Sequence, residues 1–280
     1  MRIGEMPLRA WRPEWLGSKC QVRYSPSLDW ICAPDTMALS KSRLASSVDE
    51  RSRLIADYRM FRTWPADAIR RLAESSRARS VPRGAALIPG GRVIDALVLV
   101  CEGSVEVSEL SSDGRRATFK IARDGAYGLL PMLDGRNIPS GLSAIEPATV
   151  LEVPYSAVRA ELGRDPGLWE SVAIEAGVRA RGYTDQLKAL TFDAPRSRAA
   201  SLLLGLAETS GEPTAAGVRI VLPLSQERLG EALGVSRQWV SAFVREMVLA
   251  GVVKWRYGRV TLIDPDGLRA IAKHGYKDKG

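Results

Sequence analysis

The chain has 280 residues, 45% of them hydrophobic and 26% charged, which excludes disorder as the dominant state and leaves room for two packed domains with extensions. Its longest purely apolar stretch, Ala96–Cys101, is far too short to cross a bilayer, so no membrane-spanning helix is expected. A formal net charge of +8, concentrated toward the two ends, admits a polyanionic partner without requiring one.

The start, Met1–Gly17, carries Arg, Glu and Pro where a secretion signal needs a continuous apolar core, and a cytoplasmic location is expected. Residues 1–60 mix Trp, Pro, Ser and Arg without sustained alternation, apart from a helix signal near Val48–Met60, and read as an N-terminal extension. Met37 and Met60 give translation later places to begin. Cys20, Cys32 and Cys101 are odd in number and irregular in spacing, which suits a reducing compartment and offers no disulfide framework. Cys101, inside an apolar run, reads as a small core residue.

Over residues 61–164 a short helix at Ala66–Ser75 precedes strand signals at Ala85–Ile88, Ala96–Cys101, Val105–Leu110, Ala117–Ala122 and Thr149–Val153. Ser112-Asp113-Gly114 sits between two alternating runs as a hairpin connection, and the fold expected here is a compact antiparallel barrel or roll. Asp165 and Pro166 then open a helix running to about Leu190. Trp169, Ala173, Ala176, Ala180, Tyr183, Leu187 and Leu190 alternate at spacings of four and three, a seam that suits either a core or a two-helix dimer interface over 165–191. The dimer is the favoured reading. Leu168, Val172 and Ile174 are expected to pack back on the roll.

Residues 192–275 form the second domain, with 276–280 as a tail. Asp193-Ala194-Pro195 starts a helix through Leu206, a Gly211–Gly217 loop follows, and a strand is expected at Val218–Leu222. Two helix starts come next, Ser225 and Ser236, each a hydroxyl able to accept from free amides of the following turn. Gly234 between them is suited to the left-handed end of the first helix, which makes a tight helix-turn-helix. In the second helix Val240, Val244, Met247 and Val248 fall on one side, and Arg237, Gln238, Ser241 and Arg245 on the other.

A solvated amphipathic helix would show the same pattern, so the context decides. Immediately afterwards Val252–Arg256 and Arg259–Ile263 alternate around Tyr257-Gly258, a hairpin carrying Lys254, Arg256 and Arg259. A basic hairpin beside such a helix is a wing that rests on sugar-phosphate backbone. Arginine pairs bidentately with guanine and glutamine with adenine in the major groove, which makes Arg237 and Gln238 the base readers. Ser241 and Arg245 suit phosphates or a neighbouring edge, Ser225, Gln226 and Ser236 are counted with them as DNA-binding residues, and Trp239 either touches DNA or packs on the first helix.

Over roughly residues 61–272 the chain resembles the Crp/Fnr family of bacterial transcription regulators. The resemblance is most specific at Ser225-Gln226-Glu227-Arg228-Leu229, Leu233-Gly234-Val235-Ser236-Arg237, Val240-Ser241, Gly258-Arg259-Val260 and Asp264-Pro265-Asp266-Gly267-Leu268. It implies an α+β architecture: a cyclic-nucleotide-binding-like antiparallel β-roll, a long dimerisation helix and a C-terminal winged helix-turn-helix. It also implies a homodimer on double-stranded DNA, with RNA polymerase a further partner if the protein is an activator.

The departures bear on the effector. Where the family has a Gly-Glu pair holding a ribose, this chain has Gly128-Leu129; where a later Arg-Ser pair holds the cyclic phosphate, it has Ile138-Pro139. Leucine cannot accept from a hydroxyl and isoleucine cannot neutralise a buried phosphate, so control by cyclic AMP is not expected, Arg136 being the nearest cation left to recruit. Three cysteines do not make an iron–sulfur site, and the single His274 lies in a Lys- and Gly-rich tail, so no cofactor and no metal are expected. No phosphate-cradling glycine loop or nucleophile–histidine pair suggests an enzyme. The competing reading is a ligand- or partner-sensing roll with vestigial DNA binding.

Overall fold

The computed structural model describes residues 47–123 and 125–274, with His274 described by its backbone. Cys20, Cys32, Met37, the imidazole of His274 and the 276–280 tail lie outside the described residues.

The helix signal near Val48–Met60 is realised as α1 (Val48–Asp57), capped by Ser47, whose hydroxyl accepts from Glu50 N–H at 3.1 Å. Ile55, Tyr58 and Phe61 are fully buried, and the Tyr58 hydroxyl donates to the Val100 carbonyl at 2.6 Å, so this segment belongs to the core of the roll. A chain begun at Met60 would lose that packing. The following helix, α2 (Ala66–Ser75), has the bounds read from sequence.

Eight strands make the roll: β1 (Arg77–Val81), β2 (Ala86–Ile88), β3 (Ala96–Glu102), β4 (Val105–Leu110), β5 (Arg116–Ala122), β6 (Gly125–Tyr127), β7 (Gly141–Ala144) and β8 (Ala148–Pro154). They form two antiparallel four-stranded sheets, ordered β1-β8-β3-β6 and β2-β7-β4-β5. A short helix, α3 (Leu129–Asp134), separates β6 from β7. The apolar run of β3 has a simple cause: Val98 and Val100 face the interior of the roll, while Leu97 and Leu99 face the helices outside, so the strand is buried on both faces. Against that outer face pack α1, α2, α4 (Tyr155–Arg164) and the start of α5.

The long helix α5 (Trp169–Phe192) is preceded by a 3-10 turn at Pro166–Leu168, where the Asp165 carboxylate accepts from Gly167 N–H at 2.9 Å. Its first half is fastened to the roll. Leu168 and Val172 enter the core, Trp64 donates to Ser171 at 2.8 Å, and Glu175 is held between Arg59 at 2.8 Å and Arg179 at 2.7 Å. Arg179 also donates to the Ala126 carbonyl at 2.6 Å. Burial pushes the Glu175 carboxyl up, and the charges of Arg179 and Arg59 outweigh it, holding the group below the usual carboxylate range. Ile174, expected against the roll, is exposed instead, because one helical turn can offer Leu168 and Val172 to the core only by turning position 174 away.

The second domain begins with α6 (Pro195–Ser210), with Pro195 at its first position and Ala194 as its cap. The Gly211–Gly217 segment, read as a loop, is the hairpin of β9 (Gly211–Thr214) and β10 (Gly217–Ile220). Then come α7 (Gln226–Leu233), α8 (Arg237–Leu249), β11 (Val253–Arg256), β12 (Arg259–Leu262) and α9 (Pro265–His274). The strands form one sheet, β11-β12-β10-β9, and the core is built from Leu203, Leu206, Leu229, Val240, Phe243, Met247 and Val260.

Candidate nucleic-acid interface

The geometry of the helix-turn-helix follows from four small residues. Ser225 accepts from Arg228 N–H at 3.0 Å and Ser236 from Trp239 N–H at 3.2 Å, so both helices start where their hydroxyls predict. Gly234 has φ of 67°, the left-handed value that ends α7 and redirects the chain into α8. At Gly230 a β-carbon would stand 2.9 Å from the Val235 carbonyl oxygen, so the turn folds onto α7 only because no side chain is there.

Aimed by that turn, α8 buries Val240, Phe243, Val244 and Met247 and exposes Arg237, Gln238, Ser241 and Arg245. Val248, read as apolar packing, is exposed, and Phe243 takes its place in the core. Trp239 packs into the domain core, with its ring stacked on Phe243 at 5.5 Å between centroids. Ser236 is exposed at the head of α8; Ser225 is exposed, and Gln226 half-buried, at the head of α7.

The wing pairs Val253 with Leu262, Lys254 with Thr261, Trp255 with Val260 and Arg256 with Arg259. Alternation puts Val253, Trp255, Val260 and Leu262 toward the core and Lys254, Arg256 and Arg259 on the other face. Arg256 and Arg259 are directly opposite, a like-charge pair that costs stability in an isolated hairpin. None of Arg237, Arg245, Lys254, Arg256 and Arg259 forms an ion pair among the described residues. Leu224 N–H donates to the Gly258 carbonyl at 3.0 Å, which ties the wing tip to the start of α7.

Sequence reasoning missed the seam between this domain and the roll. Arg228 donates to Glu106 of β4 at 2.6 Å, Glu106 also holds Arg116 at 2.8 Å, and Thr118 donates to Glu231 at 3.2 Å. Burial pushes the Glu231 carboxyl up, and its bond from Thr118 counters that only in part. Ser225 and Arg228 therefore line a cleft of about 340 Å³ with Arg83, Arg116 and Ser143 of the roll. An acidic residue inside the alternating strand Val105–Leu110 was the one visible signal.

In the loop where an effector would be held, Gly128 starts α3 with φ of 95°, Leu129 is buried among the helices outside the roll, and Ile138 packs against its apolar interior. Arg136 is exposed, its backbone N–H bonded to Asp134. Neither a carboxylate nor a cation reaches the roll interior from these positions.

Two family models match: a cyclic nucleotide-binding domain over residues 78–165 and a Crp-like helix-turn-helix domain over 197–271. The chain belongs to the Crp/Fnr family of transcription regulators. It is 23% identical over 221 residues to the CRP-like cAMP-activated global transcriptional regulator of Mycobacterium tuberculosis, covering 79% of this chain and 99% of that one. To the global nitrogen regulator of Synechococcus elongatus it is 24% identical, over 66% and 85% of the two chains. The fold is similar to that of a CRP/FNR-family regulator from Thermus thermophilus, with a TM-score of 0.59 at 22% identity over 71% of this chain and 100% of that one. It is also similar to the c-di-GMP-responsive global regulator CLP of Xanthomonas campestris, with a TM-score of 0.60 at 20% identity over 71% and 99%. This Crp/Fnr protein is thus an α+β DNA-binding regulator, from a non-enzymatic family, and no helix among its described residues is long and apolar enough to cross a membrane.

Proposed function

We propose that this Crp/Fnr regulator acts as a cytoplasmic homodimer that reads an inverted-repeat operator without cyclic AMP. The observation that carries the reading is the set of cations and amides along α8 and the wing that have no acidic partner among the described residues, whereas Arg71, Arg79, Arg116 and Arg179 of the body are engaged with glutamates. Arg237 and Gln238 read base edges, Ser241 and Arg245 reach phosphates or an adjacent edge, and Ser225, Gln226 and Ser236 hold backbone at the helix heads. Trp239 adds its partly exposed ring edge. Lys254, Arg256 and Arg259 lie on the backbone beside the half-site.

The dimer is supported by the second half of α5, where Tyr183, Leu187 and Leu190 are 58%, 65% and 52% exposed in the single chain. Paired with a second copy, that stripe is covered, and two α8 helices reach successive major grooves about 34 Å apart. Independence from cyclic AMP is supported by Leu129 and Ile138, which leave a ribose and a phosphate without polar partners. RNA polymerase is a further partner if the protein activates.

Hydroxyl-radical footprinting of a bound genomic fragment, with nucleotides removed, tests this. Two protected segments one turn apart are expected. A single segment would contradict the dimer, and protection that appears only on adding cyclic AMP would contradict the effector reading.

A further inference from the structure

Among the described residues Tyr257 is the one non-glycine with positive φ, at 51°, and it is 102% exposed. With Gly258 at φ 73° it forms a two-residue hairpin of the type that wants left-handed backbone at both positions, where Asn, Asp or Gly sit with little strain. A tyrosine there strains the turn and packs on nothing in its own chain. The wing nevertheless holds it firmly, because the Gly258 carbonyl is bonded to Leu224 N–H beside the Ser225 helix head. Arg256 and Arg259 flank it and close the hairpin.

Resting on the DNA-binding reading above, we infer that Tyr257 is a DNA contact: its ring lies against deoxyribose and its hydroxyl donates to a phosphate beyond the bases read by α8. The strain is then the cost of aiming an uncharged aromatic outward from between two arginines. Because the contact is not ionic, it is distinguishable from theirs, which release counterions and so depend steeply on salt.

The experiment compares Tyr257→Asn and Tyr257→Phe with the parent on a genomic fragment that the parent binds and on random duplex, across a salt series, alongside thermal unfolding. Tyr257→Asn should raise the melting temperature by roughly 2–4 °C, since it relieves the turn. The same change should weaken binding to both duplexes roughly five- to tenfold, with the salt slope unchanged. Tyr257→Phe should lose only part of that affinity. Unaltered binding by Tyr257→Asn overturns the inference and points to a protein partner for the wing tip. A lower melting temperature, or a shallower salt slope, also overturns it, by showing that the residue acts through the hairpin or its arginines. If the parent itself prefers no fragment, the underlying DNA-binding reading fails instead.

Discussion

The ion-paired seams of the roll and the exposed edge of α8 and the wing use the same side chain in opposite ways. In the roll and the helices packed on it, Arg71, Arg79, Arg116 and Arg179 are each fixed to a glutamate, and three of those acids, Glu106, Glu161 and Glu175, are almost wholly buried between pairs of arginines. On α8 and the wing, Arg237, Arg245, Arg256 and Arg259 project without an acidic partner among the described residues. Paired arginine gives the molecule its shape, and unpaired arginine gives it affinity for a polyanion. Arg228 stands between the two uses, since it belongs to the helix-turn-helix yet is bonded to Glu106 of the roll.

The contrast can be broken in order of expected effect. Leu187→Glu puts a charge in the α5 stripe and should leave a monomer, lowering affinity for an inverted repeat by at least ~100-fold as the two half-sites lose their linkage. Sedimentation and binding titration check this together, and a persistent dimer would place the interface elsewhere. Glu175→Ala leaves Arg59 and Arg179 facing each other and should cost about 2–4 kcal/mol in urea unfolding. Because the folded carboxyl sits below its ordinary range, its contribution is present above that range and lost as pH falls through the lowered value. Unfolding curves of the two proteins should therefore converge in acid; a constant gap at every pH would mean the loss is packing alone.

Arg237→Ala tests the reading edge. It should cost roughly 1–3 kcal/mol on a cognate fragment and relax preference at one base pair per half-site. Arg256→Ala should do less on any one sequence but do it on all of them, lowering the salt slope by about 1. Equal losses by both variants on cognate and random DNA would erase the distinction between reader and wing.

Much of this was legible in the residues. Ser225, Gly234 and Ser236 act through their own backbone neighbours, so their roles follow from chemistry over a few positions, and α7 and α8 fall where such signals put them, while α2 follows from its apolar period. Strand β4 was legible from Val105 and Val107 and from the turn residues that follow it. Strand β1 was not, since Arg77-Ala-Arg-Ser-Val offers little apolar period and is held by Arg79–Glu152 pairing across to β8. β6 and β7 are short and glycine-bearing, and α4 carries a weak amphipathic pattern. The seam of Glu106 and Arg228 joins residues more than a hundred positions apart, and the acidic residue within β4 was its one local trace.

The most direct test of the reading edge is selection of fragments from the organism's own genome by the purified protein at physiological ionic strength. Enriched fragments should share a two-fold-symmetric motif with half-sites one DNA turn apart, and Arg237→Ala should blur one position in each half. Recovery of fragments no different from random duplex, with or without cell extract, would contradict the account.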